Sequence, residues 1–124
     1  MTTQDPGAPS NSISGTIKFE GVDQPRRNVT LYVRVQDTSR ADAPAVTVAE
    51  QVFRGVEVAP GSPPIHFTVQ GIPHNERAPY TVRVHADVDG SGVVSKGDYV
   101  STESYPVQTG DQPAPVTIVA RPVR

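Results

Sequence analysis

The segment VTLYVRVQ, residues 29–36, alternates without a break between apolar and polar side chains. Successive side chains of an extended chain point to opposite faces, so the apolar residues share one face and the polar residues share the other. Three of the four apolar residues are β-branched, which favours a strand over a helix. The segment therefore predicts a β-strand with one face in a core and the other in solvent. The apolar set is Val29, Leu31, Val33 and Val35.

The same alternation recurs along the chain, and no segment has apolar residues repeated at helical spacing. One segment, residues 46–54, is β-branched but mixed on both faces, which indicates an edge strand or an irregular one. Pro106 indicates an edge position for residues 99–108 because proline cannot donate a ladder hydrogen bond. The pattern predicts an all-β fold, an antiparallel β-sandwich of about seven strands, with immunoglobulin-like or transthyretin-like strand order left open. The predicted strands lie within residues 13–20, 29–36, 46–54, 65–70, 80–86, 99–108 and 116–120.

Composition limits the domain organisation. The chain has 124 residues, enough for one core, and we expect a single β-sandwich domain over residues 13–124. Residues 1–12, MTTQDPGAPSNS, have almost nothing to bury and predict a disordered N-terminal tail.

Composition also excludes several functions. A net charge of −2 gives no basic field for nucleic acid, and no apolar run is long enough for direct membrane insertion. The lack of cysteine excludes a disulfide framework, a cysteine nucleophile and a lipid anchor on cysteine within these residues. We expect the cell envelope or the extracellular space if a leader was removed, and the cytoplasm otherwise.

The segment DVDGSGVVSKGD, residues 87–98, has the spacing of an EF-hand-like calcium loop. Calcium takes six to eight oxygen ligands, and such a loop supplies them from positions 1, 3, 5, 7, 9 and 12, with glycine at the turn in position 6. Gly92 occupies position 6, and the apolar Val94 at position 8 is expected to anchor the loop to a core. We therefore predict calcium as the cofactor. The predicted ligands are Asp87, Asp89, Ser91, the backbone carbonyl of Val93, Ser95 and Asp98.

A plain β-turn is the alternative explanation of this loop, since Asp-Gly and Ser-Gly pairs are strong hairpin signals. The complete register favours calcium over a turn, as does the crowding of three carboxylates, which repel one another without a cation. Two features depart from the usual pattern: position 12 is Asp98 instead of a bidentate Glu, and strands flank the loop instead of helices.

The remaining polar residues give no catalytic centre. Alternation places His66 and His85 on solvent faces, and His74 falls in a polar loop. In the loop DTSRADAP, residues 37–44, Asp37 and Ser39 are expected to cap a turn, and no strained nucleophile turn is present. A polar sheet face on which a ligand could rest is formed by Tyr32, Arg34, Arg83 and His85.

The segment VTLYVRVQDTSRADAPAVTVAEQ, residues 29–51, resembles the YscW/YbaY-type family, whose members include lipoprotein pilots of type III secretion. The specific part is SRADAPA at residues 39–45, and a looser similarity continues through PPIHFTV and YTVRVHADVDG to SYPV at residues 104–107. The resemblance implies a small, all-β, non-enzymatic protein that is usually exported to the envelope and carries a lipid-bearing cysteine. This chain has no cysteine.

Two functions of different kinds follow. The first is a non-catalytic, calcium-binding structural or assembly protein that acts through protein contacts and self-assembles at the cell surface by pairing of β-strand edges. The alternative is a pilot-like envelope chaperone or peptide-binding module that works without calcium. An enzyme is not expected, because no nucleophile, base and orienting partner converge.

Overall fold

The computed structural model describes residues 10–39, 44–73, 80–101, 105–107 and 115–123. Of the predicted tail, residues 1–12, the first nine lie outside this part of the chain, as do His74 and, in the loop DTSRADAP, Arg40 and Asp42. Residues 10–12 belong to the first strand. The described residues contain strands, turns and bends, and no helix that could span a bilayer. The strands are β1 (Ser10–Phe19), β2 (Arg26–Asp37), β3 (Val46–Val58), β4 (Ile65–Pro73), β5 (Tyr80–Asp87), β6 (Tyr99–Ser101), β7 (Tyr105–Val107) and β8 (Val116–Pro122).

All of these strands belong to one hydrogen-bonded sheet with the order β3-β2-β5-β6-β8-β1-β4, and β7 pairs with β5 beside this path. The all-β prediction is confirmed, and β3 lies at one end of the sheet, as its mixed pattern indicated. No pattern in the residues indicated that the sheet is mixed: β1 and β8 run parallel, whereas the other pairs are antiparallel. Instead of two separate sheets packed face to face, one continuous sheet curls around one core.

The inward faces of β2 and β5 supply the centre of this core. Val33 pairs with Val84, and Leu31 pairs with Ala86, so that apolar side chains meet across the two strands. All four apolar residues of residues 29–36 are completely buried. Burial of a side chain of this size stabilises the fold by roughly 1.5–3 kcal/mol. Because the alternation of apolar and polar residues puts all four of these side chains on the buried face, it is the main determinant of this strand.

Strand β1 approaches β8 and β4 so closely that only glycine fits at position 15. A Cβ atom on Gly15 would overlap the backbone carbonyl oxygen of Val116 and would lie 2.9 Å from the ring of Phe67. Because glycine has no side chain, β1 can lie between β4 and β8 and form backbone hydrogen bonds with both.

The two ends of the sheet approach each other. Strands β3 and β4 are at opposite ends of the hydrogen-bonded order, yet the backbone amide of Thr68 in β4 donates to the side-chain Oε1 of Gln51 in β3 at 3.0 Å. This bond, from backbone to side chain, links the terminal strands and makes the sheet an almost closed barrel.

Candidate functional site

The loop of residues 88–98 connects β5 to β6, and a buried carboxylate lies at each of its ends: Asp87, the last residue of β5, and Asp98. Asp87 is 2% exposed, and its two oxygens accept hydrogen bonds from the backbone amides of Gly90 at 3.1 Å and Gly92 at 2.8 Å. Both glycines have positive φ, 74° and 79°, a conformation that other residues rarely adopt. Asp87 therefore holds the first half of the loop in a tight turn.

Asp98 holds the second half of the loop. It is fully buried, and its Oδ1 accepts from the amide of Val88 at 2.9 Å. Its Oδ2 accepts from the amide of Ser95 at 3.0 Å and lies 2.8 Å from Nε2 of His85. An ionised carboxylate can only accept, so this contact requires the histidine proton on Nε2. Three donors from three parts of the chain thus converge on one side chain.

The other predicted ligands lie nearer the surface. Exposed Asp89 accepts from the amide of Ser91 at 3.1 Å, and hydrogen bonds from the side chain and the backbone of Ser91 lower the pKa of Asp89 to about 2. The hydroxyls of Ser91 and Ser95 both donate to the carbonyl of Val93, at 3.0 and 3.2 Å. The loop is therefore closed by its own hydrogen bonds.

Of the six predicted ligand residues, the structure brings the carboxylates of Asp87 and Asp98 close together. His85, Asp87 and Asp98 each offer one potential ligand atom, and these atoms lie within 4.8 Å of one another. Calcium binding by Asp87, Asp89, Ser91, Val93, Ser95 and Asp98 stays a prediction.

Two expectations about this region are wrong. His85 was expected on a solvent face, but it is only 6% exposed, because the loop folds back over the outer face of β5 and brings Asp98 to its ring. One feature of the sequence pointed to contact between His85 and the loop. His85 lies two residues from Asp87, so the two side chains point to the same side of the strand. Val94 was expected to anchor the loop to a core, but it is 57% exposed.

Beside the loop, the outer faces of β2, β5 and β6 form a depression of about 240 Å³, which we call the outer groove. The sequence predicted a polar face here from Tyr32, Arg34, Arg83 and His85, and three of these residues line the groove. The contributions of the loop and of β6 were not foreseen, because they depend on how the loop folds. The lining residues are Arg34, Gln36, Arg83, Val84, His85, Val94, Val100 and Ser101.

A stack of side chains stabilises one wall of the groove. The ring of Tyr32 stacks on His85 with centroids 5.7 Å apart, and the guanidinium of Arg34 lies 4.6 Å above the Tyr32 ring. Nε of Arg34 also donates to Glu50 at 2.6 Å. Arg34 therefore has both a cation–π contact and a carboxylate partner.

Arg83 has no such partner among the residues that the structure describes. It pairs directly with Arg34 across β2 and β5, an arrangement that is unfavourable for like charges. Glu50 neutralises Arg34, whereas no carboxylate among the described residues bonds to the exposed Arg83. Within the described part of the chain, the outer groove thus combines the positive charge of Arg83, which no carboxylate balances there, with the apolar side chains of Val94 and Val100.

Comparison with known proteins identifies relatives of this fold. In the solved structure of an alternative pilotin from the type II secretion system of Vibrio cholerae, a chain with 23% sequence identity superposes with a TM-score of 0.71, covering 94% of this chain and 99% of that chain. No curated protein sequence matches the chain.

The family model described as type III secretion system lipoprotein chaperone (YscW) matches residues 8–119. This match overturns the interpretation that the chain functions as a self-assembling structural protein based on a calcium-binding, EF-hand-like loop. Binding of calcium by the loop itself is a separate question and stays a prediction. The match agrees with the resemblance seen in residues 29–51. With nearly the whole length matched, the chain belongs to the YscW family of type III secretion system lipoprotein chaperones.

Proposed function

We propose that this chain is a non-catalytic, pilot-like chaperone of the cell envelope and that it binds one segment of a protein client in the outer groove. Family membership supports the chaperone role and a protein partner. The observation that carries the binding site is the groove itself, where the guanidinium of Arg83, which bonds to no carboxylate of the described ranges, lies beside exposed apolar surface.

The chemistry of the groove indicates the kind of client segment. A carboxylate from the client would pair with Arg83 and relieve its repulsion with Arg34. An aliphatic side chain next to that carboxylate would cover Val94, which is one of the largest exposed hydrophobic residues of the described chain. The client segment is therefore acidic and aliphatic, and it belongs to a component of an envelope secretion machine.

A position-specific cross-linking experiment tests this function. A photoreactive amino acid at Val94 is expected to trap one client protein in cells of the native host. The same amino acid at Thr117, exposed on β8 and outside the groove, is expected to trap none.

A charge reversal then distinguishes specific binding in the outer groove from nonspecific binding to the protein surface. Arg83→Glu should abolish the cross-link at Val94, whereas Arg54→Glu, the same change on an exposed residue of β3, should leave it unchanged. Equal cross-linking from Val94 and Thr117, or equal effects of the two charge reversals, would count against the groove as the client site.

A further inference from the structure

A second cavity, of about 340 Å³, lies where the loop of residues 88–98 meets the end of β8. Backbone hydrogen bonds fix this junction: the amide of Gly97 donates to the carbonyl of Val123 at 3.1 Å, and the amide of Val123 donates to the carbonyl of Asp98 at 2.8 Å. The cavity shares no lining residue with the outer groove. We call it the basic cavity; its lining residues are Gly21, Asp23, Arg26, Lys96, Gly97, Tyr99, Pro122 and Val123.

Arg26 contributes a buried hydrogen-bond donor that lacks an acceptor. Its Nε is inaccessible to solvent, and no atom of the described chain accepts a hydrogen bond from it. A guanidinium in a protein does not lose its proton, so this N–H cannot be removed by titration. A buried donor without an acceptor is unfavourable and rare in folded proteins. Arg26 also lines the basic cavity, so a small movement of its side chain would bring this N–H into contact with an oxyanion inside the cavity.

The charges around the cavity indicate what kind of anion fits. Lys96 lines the cavity with Arg26 and forms no ion pair with any residue in the described ranges. Asp23 adds one negative charge, so the three charged side chains of the lining leave one net positive charge. A singly charged anion balances it, and Asp23 can then accept a hydrogen bond from a hydroxyl of that ligand.

We propose that the basic cavity binds a singly charged phosphate group, with Arg26 donating through Nε and Lys96 supplying a second positive charge. Arginine and lysine together are a common recognition pair for phosphate, the arginine by its fixed geometry and the lysine as a point charge. Monobasic phosphate and the phosphodiester of a lipid headgroup share this chemistry. The site is independent of the client-binding function proposed for the outer groove.

Calorimetric titration of the full chain with inorganic phosphate tests the site. Saturable binding is expected, and Arg26→Gln should weaken it at least about tenfold, the loss expected for a charge-assisted hydrogen bond. Arg26→Lys keeps the charge without Nε–H and should also weaken binding, which keeps the test valid if Arg26→Gln does not fold. Lys96→Gln should weaken binding as well.

Arg83→Gln is the matched control, because it removes the same charge from the outer groove and should leave phosphate binding unchanged. Co-sedimentation with vesicles of phosphatidylglycerol distinguishes the two sources of the phosphate group, a lipid headgroup and the free anion. Binding to these vesicles that is lost in Arg26→Gln and kept in Arg83→Gln identifies a lipid headgroup, and binding of inorganic phosphate alone identifies the free anion. Absence of saturable binding in both experiments, or binding that Arg26→Gln does not weaken more than Arg83→Gln does, would overturn the proposal.

Discussion

Replacing Asp98 with alanine tests whether hydrogen bonds to one buried carboxylate hold the loop of residues 88–98 in place. The substitution removes the acceptor for Val88, Ser95 and His85 at once. The His85 ring is almost completely buried and loses its partner, which costs about 2 kcal/mol. The two backbone amides are nearer the surface, where water replaces part of their bonding, and add about 0.5 kcal/mol each.

The expected loss is therefore about 3 kcal/mol, a large fraction of the roughly 5–15 kcal/mol by which domains of this kind are stable. For a chain of 124 residues this corresponds to a melting temperature lower by about 10 °C. Urea unfolding followed by circular dichroism measures the free energy, and the slope of the transition shows whether unfolding is still cooperative.

Unfolding measurements in the presence of a metal chelator distinguish the contribution of these hydrogen bonds from any contribution of a bound metal. In chelator, Asp98→Ala should still lose about 3 kcal/mol, because its partners are protein atoms. Asp89→Ala, at an exposed carboxylate of the same loop, should lose much less. Repeating the unfolding of the unchanged chain with calcium tests the predicted ligand set directly, since a bound ion stabilises the folded state. An Asp98→Ala variant within about 0.5 kcal/mol of the unchanged chain in chelator would refute the hydrogen-bond argument.

Two further predictions concern acid stability and the packing of β1. The pKa of Asp89 falls from 3.8 to about 2 in the folded chain, chiefly through Ser91, so its contribution to stability is present above pH 3.8 and is lost as the pH falls towards 2. Urea midpoints of the unchanged chain and of Asp89→Asn should therefore differ at neutral pH and converge near pH 2; a difference that stays constant contradicts the assignment. Gly15→Ala should cost about 2 kcal/mol or more because its methyl group meets the backbone of Val116, whereas Ser14→Ala, exposed on the same strand, should stay within about 0.5 kcal/mol. Equal stability of these two β1 variants in urea would show that the close approach is not rigid.

The all-β fold could be predicted because its signal is local. Residues 29–36 alternate with period two, and that period decides which side chains enter the core regardless of which strand lies alongside. The parallel pairing of β1 with β8 could not be predicted, because it joins segments about a hundred residues apart through backbone groups that every residue carries. The bond between Thr68 and the side chain of Gln51, which links the ends of the sheet, could not be predicted either, because it depends on how the sheet curls.

The candidate sites were predictable only in part, for a related reason. The spacing of Asp87 and Asp98 indicated a loop organised around carboxylates, and both carboxylates do organise it. The spacing did not show that this loop would fold over His85 and leave Val94 exposed, since that depends on contacts across strands. The basic cavity was not foreseen at all: Arg26 and Lys96 are 70 positions apart, and neither belongs to a recognisable motif.

The central position of β8 has a consequence for the order in which this chain can acquire its structure. The last strand lies between β6 and β1, so the first strand has no parallel neighbour until residues 116–122 have left the ribosome. Contacts between such distant segments slow folding, because a long loop must close before they form. The segment from β1 to β8 must therefore emerge as a whole before its sheet can assemble, and until then it is accessible to factors that bind extended polypeptides.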